Sequence, residues 1–499
     1  MNMKRAGSHK KLRSSFSFTP GFSRVIGQFE RQRKPFKRFP DLSLRRFTWL
    51  KPGVNEIGFS RRRSTVLAFL STFCGKPKRT AAMVLALFAC LSTRGQSSNT
   101  PPNYEFANGN WFDGRTFVAR NFYSVAGILT NKKPARVDRV IDLAGKFIVP
   151  PFGEAHNHNL DWSNDERWAQ LRRRYLEGGI FYVKNPNSLP RSKQALAGKI
   201  NVPTSLDGTF SNGGLTATGG HPIEIVTPRR GFKPGDGEGG FYFVIDTRAD
   251  LDRKWPAILA GKPDFIKTYL LYSEEYSQRK DDHAFDDWKG LDPIILREIV
   301  RRAHRAGLRV STHVETAADF HNALLASVDE INHTPGFRPE KNDVTRFTSL
   351  ARYEISDDDA RLAARNRVVV VTTMGESIDW TFNGKESEAQ RLAVRGMLVH
   401  NLQQLKKYGV AVTIGSDNFG ATSVPEALSL ARLQVFDNAT LLRMWCETTA
   451  ATIFPGRKIG QLKPGYEASF LVLSDNPLKD FSLVTKIERR YKQGELINP

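Results

Sequence analysis

The chain has 499 residues, of which 40% are hydrophobic and 11% aromatic, enough apolar material for a sizeable globular core. It contains no run of eighteen apolar residues, which excludes a polytopic membrane protein. Its three cysteines exclude a disulfide scaffold or a cysteine-rich zinc module. Most of the net charge of +23 lies in residues 1–100, which hold 21 basic and 3 acidic side chains, so it says little about the rest of the chain.

The first part of the chain is predicted to lie outside the globular fold. Residues 1–75 show no helical or strand period, which indicates a disordered basic extension, or translated sequence upstream of the true start; a basic arm that binds a polyanion is the alternative. Residues 76–96 place a basic flank before the apolar run Ala81–Cys90 and a polar exit, a pattern typical of a secretory signal peptide. We therefore expect a protein exported to the periplasm or cell envelope of a bacterium, with a cytoplasmic location as the alternative. Leu87–Cys90 loosely resembles a bacterial lipoprotein box, so the one membrane contact expected is a lipid anchor; a cysteine inside an apolar stretch is the other interpretation.

The remainder divides into a central segment and two flanks. Short strands with turns are predicted over 104–148 and again over 451–499, and we expect these flanks to form one small β-sandwich. Over 149–450, short apolar strands alternate with helices, which indicates a parallel sheet. The candidate strands lie near 154–158, 180–184, 215–218, 264–270, 309–314, 328–333, 367–373 and 411–416. Eight strands with helical crossovers predict an α/β fold, a (β/α)8 TIM barrel.

Helix starts support this division. Asp292 and Pro293 supply an N-cap and a proline in the first turn. Ser423 and Glu426 have the spacing of a capping box. Ser356 precedes three aspartates, which favours a helix start there.

Four histidines and one aspartate follow predicted strands. His156 and His158 end the first strand, and His313, His333 and Asp417 end later ones. Barrel active sites form at the carboxyl ends of the strands. Each residue alone fits a hydrogen-bonded side chain or a turn cap, but their shared position predicts a divalent metal site. Zinc is the expected metal, with manganese or cobalt as alternatives.

Lys267 lies in the apolar strand Asp264–Tyr272, where a buried ammonium is costly unless it is paired or chemically changed. It could form an ion pair with a barrel carboxylate. It could instead be carboxylated by CO2, which would make it an anionic bridge between two metal ions. The four histidines favour carboxylation. Other reactive side chains are predicted to be solvated or structural: His283, His304, His321, His400 and Cys446.

At these positions the sequence resembles the amidohydrolase superfamily, which carries an HxH motif on strand one, a Lys on strand four, a His on each of strands five and six, and an Asp on strand eight. The resemblance covers roughly residues 104–499 and implies a barrel that holds two divalent metal ions. The segment Thr216–His221 also resembles the TGGH segment of the imidazolonepropionase-like and prolidase-like branch. The role implied for His221 is to polarise or orient the substrate carbonyl; a loop histidine beside a flexible Gly-Gly is the alternative. Glu154 in place of an Asp, and the bulky Thr268–Tyr276 in place of a Gly-rich turn, depart from the branch.

The resemblance also implies a ligand set and a mechanism. His156, His158 and Asp417 would hold one ion, His313 and His333 the other, and carboxylated Lys267 and a water would bridge them. A metal-bridging hydroxide would attack the carbonyl, and Asp417 would pass its proton to the leaving amine. The expected reaction is cleavage of an amide-type C–N bond in a small molecule: a peptide, an N-acyl amino acid or a cyclic amide. The alternatives are a mononuclear deaminase-like enzyme, an ester or lactone hydrolase, and an exported metal-containing binding protein without catalysis. No nucleic-acid partner is expected.

Overall fold

A computed structural model describes residues 102–160, 164–226, 235, 237–339 and 350–499. The extension predicted over 1–75 and the signal segment over 76–96 lie outside the described residues. No helix in the described ranges is both long enough and apolar enough to cross a membrane.

Eighteen strands are present in the described residues. They are β1 Tyr104–Phe112, β2 Phe117–Val125, β3 Ile128–Thr130, β4 Arg139–Asp142, β5 Phe147–Val149, β6 Phe152–Glu154, β7 Ile180–Asn185, β8 Asp207–Phe210, β9 Gly214–Thr216, β10 Tyr242–Val244, β11 Ile266–Tyr269, β12 Val310–His313, β13 Glu330–Asn332, β14 Val369–Val371, β15 Ala411–Thr413, β16 Phe470–Leu473, β17 Ile487–Lys492 and β18 Glu495–Leu496.

The α-helices of the same residues separate most of the parallel strands. They are α1 Asp165–Glu177, α2 Pro190–Ala195, α3 Ile223–Val226, α4 Arg248–Ala260, α5 Tyr276–Arg279, α6 Pro293–Arg305, α7 Ala317–Leu325, α8 Asp357–Arg365, α9 Gly375–Asn383, α10 Glu388–Lys407, α11 Ser423–Arg432, α12 Asn438–Arg443 and α13 Thr449–Ile453. A π-helical turn, Met444–Thr448, joins α12 to α13.

Both flanks of the chain meet in one mixed sheet of eight strands. Its order is β18-β17-β16-β5-β1-β2-β3, with β4 beside β1. The flanks join where β16 pairs antiparallel with β5, opposing Val472 to Ile148. Aromatic rings from both flanks form its core, with ring centroids 5.1 Å apart for Trp111 and Phe470 and 4.8 Å apart for Phe106 and Phe470. The two flanks thus meet in a single sheet, and the β-sandwich expected from the sequence stays a prediction.

The central segment forms two parallel sheets, β6-β7-β8 and β10-β9-β11-β12-β13-β14-β15. Backbone hydrogen bonds connect both outer strands of the three-stranded sheet, β6 and β8, to the seven-stranded sheet. The Asp264 amide donates to the Phe210 carbonyl at 2.7 Å, and the Ala155 amide donates to the Ile414 carbonyl at 3.0 Å. β7, β11 and β12 are buried along their whole length, as strands covered on both faces require.

Each of the eight predicted strand regions overlaps a strand, but two further strands, β8 and β10, were missed. They are four and three residues long, and the sequence of β8, Asp-Gly-Thr-Phe, has no strand period. The first predicted strand was also placed too late, because β6 ends at Glu154.

Two of the three predicted helix starts are confirmed. The Asp292 side chain accepts a hydrogen bond from the Ile294 amide, and Ser356 does the same for Asp359. The capping box of Ser423 is wrong, since Thr422 caps α11 instead. The buried Glu426 carboxylate accepts hydrogen bonds from the amides of Met374 and Gly375, at the start of α9.

Candidate active site

The four histidines and the aspartate among the predicted metal ligands lie at or just after the carboxyl ends of parallel strands, whereas Lys267 lies within β11. His313 is the last residue of β12, and His333 follows β13. His156 and His158 lie just after β6, and Asp417 lies after β15. The Asp417 amide donates to the His156 carbonyl at 2.8 Å, which joins the residues of the first and last parallel strands.

Three of these side chains converge closely. One ligand atom each of His156, His333 and Asp417 all lie within 4.8 Å of one another. His158 adds Nε2 at 3.1 Å from Asp417 Oδ1, and the ring centroid of His313 lies 4.3 Å from that of His333. The structure therefore gathers the four histidines and the aspartate at one mouth.

The chemistry of this group fits a divalent cation. His156 Nδ1 is buried and has no hydrogen-bond partner in the described part of the chain. Burial, with the nearby charge of Lys267 adding to it, holds the pKa of His156 well below its ordinary value. Burial also lowers the pKa of His313 and of His333. Neutral imidazole is the form that binds metal ions, so these residues are ready to act as ligands.

Backbone conformation at the mouth is unusual. His333 has a φ of 75° and Asp417 a φ of 48°, in the left-handed region that residues other than glycine rarely adopt. Such strain of the order of 1–3 kcal/mol per residue is concentrated at functional sites.

Lys267 lies in β11 with 1% of its surface exposed. Its Nζ donates to Asn332 Oδ1, and no described carboxylate forms an ion pair with it. Burial lowers the pKa of Lys267 to about 7, with Lys184 adding to the effect and Asp417 and Glu330 opposing it. The simple ion pair considered from the sequence is therefore not what the structure shows.

A second buried lysine has the carboxylate partner that Lys267 lacks. Lys184 Nζ lies 2.7 Å from Glu330 Oε1, and Asn332 Nδ2 donates to the same oxygen at 2.9 Å. Thr452 donates to Glu330 Oε2 at 2.7 Å. This network next to the site was not predicted from the sequence. A signal was available at Lys184, which interrupts the apolar strand β7, because a buried charge requires a partner.

Glu154 also supports the site. Its carboxyl group accepts from the Ser416 amide at 2.8 Å and from Ser416 Oγ at 2.9 Å, immediately before Asp417. Burial raises the pKa of Glu154 to about 8, although the hydrogen bonds from Ser416 oppose this. The departure from the usual Asp therefore lies at a buried contact between the first and last parallel strands.

His221 borders the group, with its ring centroid 5.0 Å from that of His313. Its Nδ1 lies 2.6 Å from Glu224 Oε1, a partner the sequence analysis missed. Gly219 has φ of 65°, and a Cβ there would overlap the carboxylate of Asp286. The Gly-Gly pair before His221 therefore forms a tight turn that packs against a neighbouring loop, and it is not a flexible segment.

The side chains predicted to be structural or solvated lie elsewhere. His304 and His321 contact Asp329 and Asp359, at 2.9 and 2.7 Å. His400 Nε2 lies 3.2 Å from the Ile355 carbonyl. His283 is exposed, and Cys446 is buried as a free thiol.

Comparison with known proteins gives the family. Residues 286–497 match the model of the amidohydrolase family. This part of the chain is an amidohydrolase-family sequence. The matched segment contains His313, His333 and Asp417, whereas the HxH motif and Lys267 precede it. The predicted resemblance is confirmed, and with it an enzyme of amidohydrolase type, a family of hydrolases that act on C–N bonds and generally use divalent metal ions.

Solved structures support the fold. An amidohydrolase shares 22% identity over 80% of this chain and 99% of its own, with a TM-score of 0.61. The A. niger ochratoxinase shares 18% identity over 79% of this chain and 95% of its own, with a TM-score of 0.60. A Xaa-Pro dipeptidase with bound methionine shares 14% identity over 80% of this chain and 100% of its own, also with a TM-score of 0.60. The chain thus has a TIM-barrel-like α/β fold. No curated protein sequence matches it.

Proposed function

We propose that this amidohydrolase cleaves an amide-type C–N bond in a peptide, an N-acyl amino acid or a cyclic amide, with two divalent metal ions. The observation that carries the proposal is the convergence of His156, His333 and Asp417 within 4.8 Å, with His158 and His313 alongside. Similar structures include a prolidase, a molinate hydrolase and a phenylurea hydrolase B, names that support hydrolysis of this kind.

His156, His158 and Asp417 would hold one ion, and His313 and His333 the other. Carboxylated Lys267 would bridge them, and its buried amine, with a pKa near 7, has the neutral fraction that reacts with CO2. Such ions supply a water of lowered pKa and polarise a carbonyl oxygen. Zinc is the expected metal, with manganese or cobalt as alternatives.

The chain's own residues would perform the proton transfers. Asp417, with 28% of its side chain exposed, can reach both the buried histidines and a bound substrate. It would accept a proton from the attacking water and deliver it to the leaving amine nitrogen. His221 would orient the substrate carbonyl through Nε2, with its ring held in place by the carboxylate of Glu224 at Nδ1.

The finer architecture belongs to the same proposal. The backbone hydrogen bonds between Ala155 and Ile414 and between Asp264 and Phe210 support a closed eight-stranded barrel. The sheet formed by the two flanks would be the small β-sandwich of such an enzyme. Export through the signal-like segment at 76–96 stays a prediction.

The test is to load the full chain with zinc or manganese in the presence of bicarbonate and to measure metal per chain and hydrolysis of N-acyl amino acids. We expect about two ions per chain. Asp417→Asn should fold and lose about 10²- to 10⁴-fold in kcat, the usual contribution of a general acid–base group. The matched control is Asp475→Asn, an exposed aspartate that should leave kcat unchanged.

The alternatives give different results. About one ion per chain would overturn the binuclear centre in favour of a mononuclear enzyme. Hydrolysis of esters or lactones, with no hydrolysis of amides, would show that the enzyme cleaves an ester bond instead of the proposed C–N bond. Absence of bound metal would leave a barrel that binds ligands without this chemistry.

A further inference from the structure

One arginine lies at the rim of the candidate active site and has no place in the proposed proton transfers. Arg338 follows Phe337, whose ring stacks on His333 with centroids 4.1 Å apart. The side chain of Arg338 is 49% exposed, although its neighbour Phe337 is buried. Arg338 is therefore anchored beside the histidine group and partly exposed to solvent.

The guanidinium of Arg338 is held from three sides. One nitrogen lies 2.8 Å from Glu315 Oε1, an oxygen that is also 3.2 Å from His313 Nε2. The guanidinium carbon lies 5.4 Å from the ring centroid of Trp288 and 5.7 Å from that of Phe337. Stacking against aromatic faces fixes the plane of an arginine and leaves its edge available.

The guanidinium of Arg338 keeps donors that its contacts with the described residues leave unused. A guanidinium has five N–H groups, and contacts among the described residues use one of them, to Glu315. The remaining donors form a planar fork that matches a carboxylate in bidentate geometry.

We infer that Arg338 binds a carboxylate of the substrate, so that the preferred substrates are amides with an anionic group close to the scissile bond. Trp288 and Phe337 would contact the apolar part of the same substrate. This inference rests on the proposed function, since it names the substrate class of the same site.

A purely structural role for Arg338 predicts a side chain with less exposure to solvent. If Arg338 served only to neutralise Glu315, it would be shielded from solvent, as Arg352 is. Arg352 pairs with Glu274 and Glu275 at 2.7 and 2.8 Å, lies 5.0 Å from the Tyr272 ring centroid, and has 23% of its side chain exposed. Arg352 therefore serves as the matched control, an arginine with similar contacts that the inference does not place at the substrate.

The experiment compares N-acetyl-L-phenylalanine with its neutral carboxamide. The full chain, metal-loaded, is assayed as the parent, Arg338→Met, Arg338→Lys and Arg352→Met. Affinity for both compounds is measured by calorimetry in the Asp417→Asn background, which keeps the amide bond intact. In the parent we expect a clear preference for the acid in both KM and affinity.

Arg338→Met should reduce that preference about 10- to 100-fold, the effect of losing a hydrogen-bonded charge pair, mainly through KM. Arg338→Lys should restore part of it, and Arg352→Met should keep the parental ratio. An acid-to-amide ratio that is the same in the parent and in Arg338→Met would overturn the inference. Selective binding of the acid without hydrolysis of either compound would uphold Arg338 and reject the proposed function.

Discussion

Two buried lysines near the candidate active site have different partners, and we expect different roles for them. Lys184 has a carboxylate partner, Glu330, at 2.7 Å, whereas Lys267 has the amide oxygen of Asn332. Burial alone would raise the pKa of Glu330, but Lys184 and Arg309 lower it to about 2, so this carboxylate is charged at neutral pH. The Lys184–Glu330 pair is thus structural, and Lys267 is the lysine available for chemistry.

The two lysines can be separated by matched substitutions to methionine. Lys267→Met should lower bound metal from about two ions per chain to one or fewer, because the proposed bridge is lost. Lys184→Met should cost about 3–5 kcal/mol in the free energy of unfolding, because it leaves Glu330 buried without its partner. Elemental analysis and urea unfolding of both variants measure the difference. Unchanged metal content in Lys267→Met would remove this lysine from the site.

At the scale of elements, local sequence and tertiary packing compete for the same polar side chains. The start of α6 follows local sequence, since Asp292 caps the Ile294 amide at 2.7 Å. The capping box predicted for α11 does not form, since the buried carboxylate of Glu426 instead accepts hydrogen bonds from the backbone at the start of α9. The difference is one of burial. The side chain of a cap residue near the surface has no other buried donor to satisfy, whereas a buried carboxylate must accept hydrogen bonds from the backbone amides that surround it.

The capping of α6 can be measured. Asp292→Ala should lower the free energy of unfolding by about 1 kcal/mol, the usual cost of removing an N-cap side chain. Asp292→Asn retains an acceptor oxygen and should stay close to the parent. Urea unfolding checks both. A loss as large in Asp292→Asn as in Asp292→Ala would show that the negative charge matters rather than the cap.

At the scale of the whole molecule, the flanks of the chain depend on each other. Phe470 in β16 is fully buried against Phe106 and Trp111 from β1. The sequence separation between these strands is more than 350 residues, so their contact closes a loop that contains the whole central segment. The mixed sheet therefore ties the two ends of the fold together.

Phe470→Ala tests that connection. We expect a loss of about 3–5 kcal/mol in the free energy of unfolding, the range for removing a large buried aromatic side chain. Val140, on the same sheet, is 62% exposed, and Val140→Ala should change stability by less than about 0.5 kcal/mol. Chemical denaturation of the two variants gives the comparison. Equal losses would mean that the aromatic core between the flanks contributes little.

How much could be predicted from the sequence depends on where each signal lies. The eight strand regions and the placing of His313 or Asp417 at strand ends follow from patterns within a few residues of each position. Glu224, Glu315 and Arg338 were missed as site residues because their importance arises from partners: Glu315, for example, meets Arg338 and His313 only in the folded chain.

Two strands of the central segment were not predicted. β8 has the sequence Asp-Gly-Thr-Phe, which shows no strand period, and the pairing of β8 and β10 is decided by neighbours such as β7 and β9. The resemblance to a family supplied the metal pattern, but the contacts that distinguish this chain, such as the two aromatic rings around Arg338, lie in loops that no local pattern describes.

The junction between His156 and Asp417 has a consequence for biosynthesis. During synthesis the HxH motif is made some 260 residues before Asp417, the aspartate that completes the group. Only then can the amide of Asp417 donate its hydrogen bond to the carbonyl of His156. Until that moment a nascent chain carries exposed imidazoles without their carboxylate. Under the proposed function, productive metal capture is therefore a late event in the life of the chain, after synthesis has passed the last barrel strand.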